Sequence, residues 1–350
     1  MLGFKGKTCG EKGKDFSLNS ALNKLNGEKK RLNTVLVITG PTGAGKTKIA
    51  LSLAKKVRTE IISADSRQIY KGMDIGTDKV SEDIRKEIPH HLIDVALPSE
   101  VFTVADFKER AEKIIEKLLE EGKLPLVCGG TGLYIKALTC GIFKGPGRDE
   151  RLREKLKEKA RKEGLSFLYR ELKRIDPVAA ERIHPHDEVR IIRALEVFYK
   201  TGMPISYHQQ EKTFAPSWQV IKVGICWRDR KTLYQVIEKR VDRMVEKGLV
   251  GEVRRLLEEG YREDLPSMQA IGYRQMVKYI KGEISFEEAV RLIKRDTKRF
   301  AKRQFTWFRK EKDIIWLERE NFSSVDDVAE KIVSILLEKA PETGKALLGP

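Results

Sequence analysis

Apolar positions along this chain follow two different periods. Thr34-Val35-Leu36-Val37-Ile38-Thr39 is an unbroken β-branched and aliphatic run, the pattern of a parallel strand covered on both faces. Shorter runs of the same kind recur at Ile61-Ile62, Leu124 to Cys128, Val220 to Ile225 and Ile314 to Leu317. Over Lys46 to Val57 and Val104 to Glu121 the apolar residues instead fall every third or fourth position, which predicts amphipathic helices. Strand alternating with helix predicts an α/β domain built on a mostly parallel sheet. From Arg148 to about Thr213 the strand pattern stops. Asp149 to Lys162 and Glu188 to Thr201 are charged segments of helical period, set apart by Pro177, Pro185 and Pro204. We therefore expect a helical insertion over 148–213 that splits the α/β domain into 34–147 and 214–340. Helices are expected again over Lys231 to Lys247, Leu249 to Glu259 and Ser285 to about Lys310. Residues 1–33 are rich in Gly, Lys, Asn and Ser without any period, and read as a disordered basic extension.

Charge adds a partner to this outline. Lysine and arginine number 69 against 52 acids, a net +17 over 350 residues. Such a surplus suits a protein that handles a polyanion, most simply a nucleic acid; a solubility surplus in a lysine-rich, heat-adapted proteome is the competing reading. No stretch approaches the roughly 18 consecutive apolar residues of a membrane span, and Met1 to Asn33 lacks the apolar region of a secretory signal. Cys9, Cys128, Cys140 and Cys226 are too far apart for CxxC metal pairs. Cytoplasmic residence and no disulfide framework are expected.

The chemistry starts after the first strand. Gly40-Pro41-Thr42-Gly43-Ala44-Gly45-Lys46-Thr47 fits G-x-x-x-x-G-K-[ST] between a predicted buried strand and an amphipathic helix, the context that this motif requires. Its glycines let successive N–H groups turn into one concavity, and the helix N-terminus adds its positive end. Lys46 supplies a mobile charge, and the Thr47 hydroxyl is a ligand for Mg²⁺. The loop binds a diphosphate or triphosphate without saying which. Asp65 follows the second apolar run, where strand ends line the ligand crevice of open α/β sheets. As a residue it fits three roles equally: a metal-holding acid, a general base, or a cap on the next turn.

Further motifs appear in a fixed order: Asp65-Ser66-Arg67-Gln68-Ile69-Tyr70, Met73-Asp74-Ile75-Gly76-Thr77, His90-His91-Leu92-Ile93-Asp94, Gly129-Gly130-Thr131-Gly132-Leu133-Tyr134, Arg193-Ala194-Leu195-Glu196-Val197, Gln269 to Arg274, and Ala301 to Phe308. This series closely resembles the bacterial tRNA dimethylallyltransferases, also called tRNA isopentenyltransferases or IPP transferases, over about residues 34–320. The resemblance implies a P-loop NTPase-like α/β fold. It implies transfer of a dimethylallyl group from dimethylallyl diphosphate to N6 of adenosine 37, just 3′ of the anticodon of tRNA, with Mg²⁺ as cofactor and diphosphate as leaving group. In that setting Asp65 becomes the base that takes the proton from N6. Thr131 matches a position near the reacting group, and it also stands where it would cap the helix that follows. Arg240 matches the arginine assigned to the diphosphate, with Arg230 and Arg243 as neighbours that compete for the role.

By the same resemblance, Asp65, Ser66, Arg67 and Gln68 read and seat the target base, and Thr131 contacts the RNA. Arg153, the segment Val189-Arg190-Ile191-Ile192-Arg193 and the segment Gln269-Ala270-Ile271-Gly272-Tyr273-Arg274 match further tRNA contacts. Lys302, Arg303, Gln304, Trp307 and Arg309 match the last. The final long helix carries a stripe from Arg291 to Arg303 suited to phosphates, and its aromatics Phe305, Trp307 and Phe308 are expected to pack against the sheet domain. His184-Pro185-His186-Asp187 and His90-His91 are read as structural, not as metal sites, and no zinc-finger spacing is present. The 33-residue extension and Gly43-Ala44, where relatives often have Ala-Ser, depart from the family pattern. The partners expected are tRNA and the prenyl diphosphate, with no membrane and a monomeric enzyme. The rival function is a P-loop small-molecule kinase using ATP, which would leave the +17 charge unexplained.

Overall fold

The computed structural model describes residues 32–143, 145–210 and 216–348. Six strands form one parallel sheet: β1 (Thr34–Thr39), β2 (Ile61–Ser63), β3 (His90–His91), β4 (Leu126–Cys128), β5 (Gln219–Cys226) and β6 (Ile314–Glu318). They lie in the order β3-β2-β4-β1-β5-β6. All six residues of β1 are buried, which is why that segment reads as an unbroken apolar run. The two-residue edge strand β3 escapes sequence patterning because it has no apolar run; it pairs through Ile61↔His90 and Ile62↔His91.

The sheet domain is completed by α1 (Lys46–Val57), α2 (Glu82–Glu87), α3 (Val104–Glu120) and α4 (Gly132–Cys140). The insertion holds α5 (Glu150–Glu163), α6 (Leu165–Ile175), α7 (Pro177–Arg182), α8 (Glu188–Thr201) and α9 (Ile205–Gln210). After β5 come α10 (Arg230–Glu246), α11 (Leu249–Glu258), α12 (Tyr273–Ile280) and α13 (Phe286–Phe308), and β6 is followed by α14 (Val325–Lys339) and α15 (Pro341–Leu348). Among the described residues, no helix is long and apolar enough to cross a membrane.

Three main hydrophobic clusters organise these elements. One joins the sheet to α1, α3 and α14 through side chains such as Ile49, Phe107 and Ile332. A second packs the segment Ile69–Met73 against α10, α11, α12 and α13. The third lies within the insertion, around Leu168, Leu172, Ile191 and Leu195. The start of the ordered core needs a correction. Leu32 is buried and donates its N–H to Leu119 O at 3.2 Å, and Asn33 O accepts from Gln219 N at 2.8 Å. These two residues therefore belong to the sheet domain, not to the extension expected over 1–33; the rest of that extension lies outside the described residues.

Candidate active site

The strand order decides what meets what. β2, β4 and β1 are neighbours, so the turns leaving their carboxyl ends sit side by side. Those turns carry Asp65, Gly129-Gly130-Thr131 and the loop Gly40–Thr47, and together they line a cavity of about 350 Å³. Helices α10 and α13 and the segment 269–274 form its other walls. Gly40 has φ +135°, and a Cβ there would lie 2.2 Å from Ile225 O on β5; only glycine lets the loop start so close to the sheet.

The loop is held by side chains from far along the chain. Gln304 of α13 accepts from Thr42 N at 2.8 Å and donates to Gly130 O at 2.8 Å, clamping two of the three turns together. The Trp227 indole donates to Gly43 O at 3.0 Å. Lys46 donates to Pro41 O at 2.8 Å. Burial pushes the Lys46 ammonium down to about 8; the Arg240 charge adds to this and the Asp65 carboxylate opposes it. Burial likewise pushes the Cys128 thiol, which lines the same cavity, up to about 11.

Asp65 is half-buried and lines the cavity. Its Oδ1 accepts from Arg67 N at 2.8 Å, so the turn-capping role is real but occupies one carboxylate oxygen. Thr131 precedes α4, yet its hydroxyl does not cap that helix. It accepts from Ser66 N at 3.0 Å instead, tying the β4 turn to the Asp65 turn. Gln68 accepts from Ser63 Oγ at 3.0 Å and donates to Thr77 O at 3.3 Å. Arg67 reaches Pro266 O at 2.7 Å.

The three candidate arginines separate cleanly. Arg240 lies in the cavity wall, donates to Thr42 Oγ1, and places Nε 3.2 Å from Asp78 Oδ2. Arg230 is exposed at the start of α10, and Arg243 donates to the Lys239 carbonyl of its own helix. Of the three, Arg240 alone lines the cavity.

The residues expected to hold RNA are distributed unevenly. Ser66, Arg67, Gln68, Gln269, Ile271, Gly272, Arg274 and Arg303 line the cavity with Asp65 and Thr131. Ala270 also lines the cavity although it is buried, while Tyr273 packs wholly in the second hydrophobic cluster. Lys302 and Arg309 are exposed, and the Arg309 guanidinium sits 5.4 Å over the Phe305 ring. Trp307 packs against Gly132 and Phe308 is buried, as expected for the aromatics of this helix. Arg153 and Val189–Arg193 stay on the insertion, outside the cavity lining. Val189 and Arg190 are exposed there, while Ile191 and Ile192 are buried in its core.

Arg153 and Arg193 both grip Glu196, which has no exposed surface. Arg153 contributes two bonds of 2.9 Å and Asp149 N adds one of 2.8 Å. Despite its burial, these donors hold the Glu196 carboxyl down at about 2. Along α13, carboxylates already attend most of the cationic stripe: Glu288 for Arg291, Asp242 for Lys294, Glu238 for Lys298, and Asp296 for Arg295 and Arg299. Arg303, which lines the cavity, and its exposed neighbour Lys302 have no carboxylate partner among the described residues. At 184–187, Asp187 caps α8 through Arg190 N at 3.1 Å, and His91 binds Glu60 at 2.7 Å.

Three contributors carry no motif of their own. Asp78, Phe300 and Thr297 line the cavity but stand in segments whose spacing announces nothing. For a divalent ion the donor set fits: the Thr47 hydroxyl and the Asp65 carboxylate, both hard oxygens, share the cavity with Lys46, and Mg²⁺ takes one or two such protein ligands beside phosphate oxygens.

Comparisons with known proteins agree with this architecture. The IPP transferase family model matches residues 68–311. The chain is 49% identical over 292 residues to a tRNA dimethylallyltransferase of Geobacter metallireducens, covering 83% of this chain and 93% of that one. It is 51% identical over 289 residues to the tRNA dimethylallyltransferase of Dictyoglomus turgidum, covering 82% and 88%. The tRNA isopentenylpyrophosphate transferase structure from Bacillus halodurans shares 40% identity and a TM-score of 0.66, with 89% and 98% covered. A eukaryotic dimethylallyltransferase captured acting on tRNA shares 26% identity and a TM-score of 0.71, with 88% and 80% covered. With the phosphate loop, the Asp65 and Thr131 turns and Arg240 gathered on one cavity, and with relatives this similar over most of its length, the chain belongs to the IPP transferase family.

Proposed function

We propose that the chain transfers the dimethylallyl group of dimethylallyl diphosphate to N6 of adenosine 37 in tRNA. One observation carries the reading: an acid, Asp65, lines the same cavity as Thr42, Lys46 and Thr47 of the glycine-rich loop and Arg240. A base in a folded loop must be everted to reach such a pocket, and the segment 269–272 with Phe300 and Arg303 forms the wall that would receive it. The N6 lone pair attacks C1 of the prenyl chain, the C1–O bond breaks, and the diphosphate departs with the bonding electrons. Asp65 takes the proton that N6 loses, which helps because the exocyclic amine is a weak nucleophile. Lys46, Arg240 and the loop N–H groups meet the charge that grows on the departing oxygen. The Thr47 hydroxyl would hold Mg²⁺, which would neutralise part of that charge. Each chain carries the full set of cavity residues, so one copy suffices.

The test is direct. Incubated with dimethylallyl diphosphate, Mg²⁺ and an anticodon stem-loop, the protein should add one prenyl unit to the adenosine by mass spectrometry, without consuming ATP. Asp65→Asn should retain binding of both substrates and lose on the order of 10²–10⁴-fold in kcat. A kcat near the parent value would remove Asp65 from the role of base.

A further inference from the structure

We propose that Glu252 is a positioning residue for the transfer, holding the turn 73–78 so that Asp78 keeps Arg240 aimed at the phosphate loop. This rests on the prenyl-transfer reading above and adds a residue to it. Glu252 lies in the first turn of α11 and is buried. Its Oε2 accepts from Asp74 N at 2.9 Å and Ile75 N at 2.8 Å, and its Oε1 accepts from Gly76 N at 3.1 Å and from the Tyr273 hydroxyl at 2.6 Å. Three successive backbone N–H groups thus converge on a carboxylate that the protein itself supplies.

The turn has no slack. Thr77 Oγ1 donates to Met73 O at 2.6 Å, and Lys79 N donates to Asp74 O at 3.0 Å. A Cβ on Gly76 would lie 2.4 Å from the Tyr273 ring, so the turn and the ring are in tight contact. Asp78, which ends the turn, adopts a left-handed φ of +54°, a conformation that a non-glycine residue keeps only when its surroundings hold it.

What the turn presents is the Asp78 carboxylate, 3.2 Å from Arg240 Nε. That nitrogen is out of reach of water and has no hydrogen bond of good geometry, so Asp78 is its acidic partner among the described residues. The other end of the same guanidinium donates to Thr42 Oγ1 on the phosphate loop. Arg240 therefore spans from the loop to the turn, and the turn hangs from Glu252. A long arginine side chain left unheld has many rotamers; held at both ends it is set before the donor arrives. Burying a carboxylate is costly even when fully bonded, and an apolar residue could pack α11 at lower cost. The expense is explained if the turn must keep one conformation.

Kinetic coupling distinguishes this from a structural role. In the Glu252→Gln enzyme, kcat/KM for dimethylallyl diphosphate should fall at least tenfold, while the tRNA dissociation constant changes less than twofold. Asp78→Asn, at a side chain half in solvent, should reproduce the selective loss at about threefold or more. In an Arg240→Ala background both substitutions should cost less than twofold, because the group they position is gone. If the losses multiply independently of Arg240, or if tRNA binding falls in parallel, Glu252 only stabilises the fold and the proposal is overturned. Should Glu252→Gln fail to fold, Glu252→Asp, which keeps the carboxylate but draws it back from the turn, takes its place in the cycle with Arg240→Ala. Parent enzyme without prenyl transfer would sink the functional reading itself, a result separable from active parent enzyme with unaffected variants.

Discussion

Raising the pH from 7 to 9 should strip this enzyme of its grip on the prenyl donor, and one side chain should account for it. Lys46 lines the cavity proposed for the diphosphate, and its ammonium is pushed down to about 8 by burial, with Arg240 adding to the effect. The free enzyme then keeps roughly nine-tenths of Lys46 charged at pH 7 and roughly a tenth at pH 9. If the donor binds the ammonium form, its affinity falls about tenfold across that window, the tight-binding side being the acid one. The donor does not confound the measurement, since a phosphate ester completes its last ionisation near pH 6. Nor does Cys128, whose thiol, up at about 11, stays neutral throughout. Isopentyl diphosphate, a saturated analogue that cannot transfer, can be titrated calorimetrically with Mg²⁺ at pH 7, 8 and 9. Binding at pH 9 should draw up about 0.9 proton per site, visible as a dependence on buffer ionisation enthalpy. Lys46→Arg should flatten the profile, because a guanidinium stays charged across it. An affinity constant over this range in the parent enzyme, or no proton uptake at pH 9, would refute the assignment of Lys46 to the donor phosphates.

Other consequences are open to simpler tests. Gln304→Leu removes the acceptor of Thr42 N and the donor to Gly130 O; with roughly 1–3 kcal/mol at stake for each buried group left bare, KM for the prenyl donor should rise tenfold or more, and an unchanged KM would dismiss the clamp. Glu196→Ala leaves Arg153 and Arg193 without their carboxylate, at a cost of about 3 kcal/mol, the low end for a buried pair because both arginines reach solvent in part; denaturant unfolding should show it, and an unchanged midpoint would dismiss the network as a stabiliser. Binding of the stem-loop should weaken with salt at a slope of about −3 to −4 in log–log form if four or five phosphates are neutralised, with Lys302→Ala lowering the slope by about one unit; a flat response would reject the helix stripe as the docking surface.

Local signals were easy to read and long-range partnerships were not. β1 announced itself because burial on both faces demands an unbroken apolar run, and the phosphate loop because its glycines follow from backbone geometry. β3 stayed hidden: two histidines on an edge need no apolar pattern. Helix α14 went unnoticed although Ser324 and Asp327 form a capping box at its start. Gln304 reads as one polar residue in a basic helix, yet its amide is spent joining two turns more than 170 residues away. Glu252 and Glu196 resemble ordinary exposed helix acids until the fold surrounds them with donors. Arg240 could not be told from Arg230 and Arg243 by spacing, because which helix face meets the loop is a tertiary fact. Thr131 was legible as a residue that matters, but its partner, the Ser66 amide, was not.

Helix α13 makes the chain a gauge of distance as well as of sequence. Its cationic stripe and the glutamine that braces the phosphate loop belong to one uninterrupted element. From Arg291 to Arg303 that element runs about 18 Å at 1.5 Å per residue. If an RNA stem rests on that stripe, as the salt-dependence test above would show, its spacing from the base offered to Asp65 is set by this one helix. On that reading, a stem-loop lengthened or shortened by a single pair should be a poorer substrate, because the helix between stripe and loop is continuous.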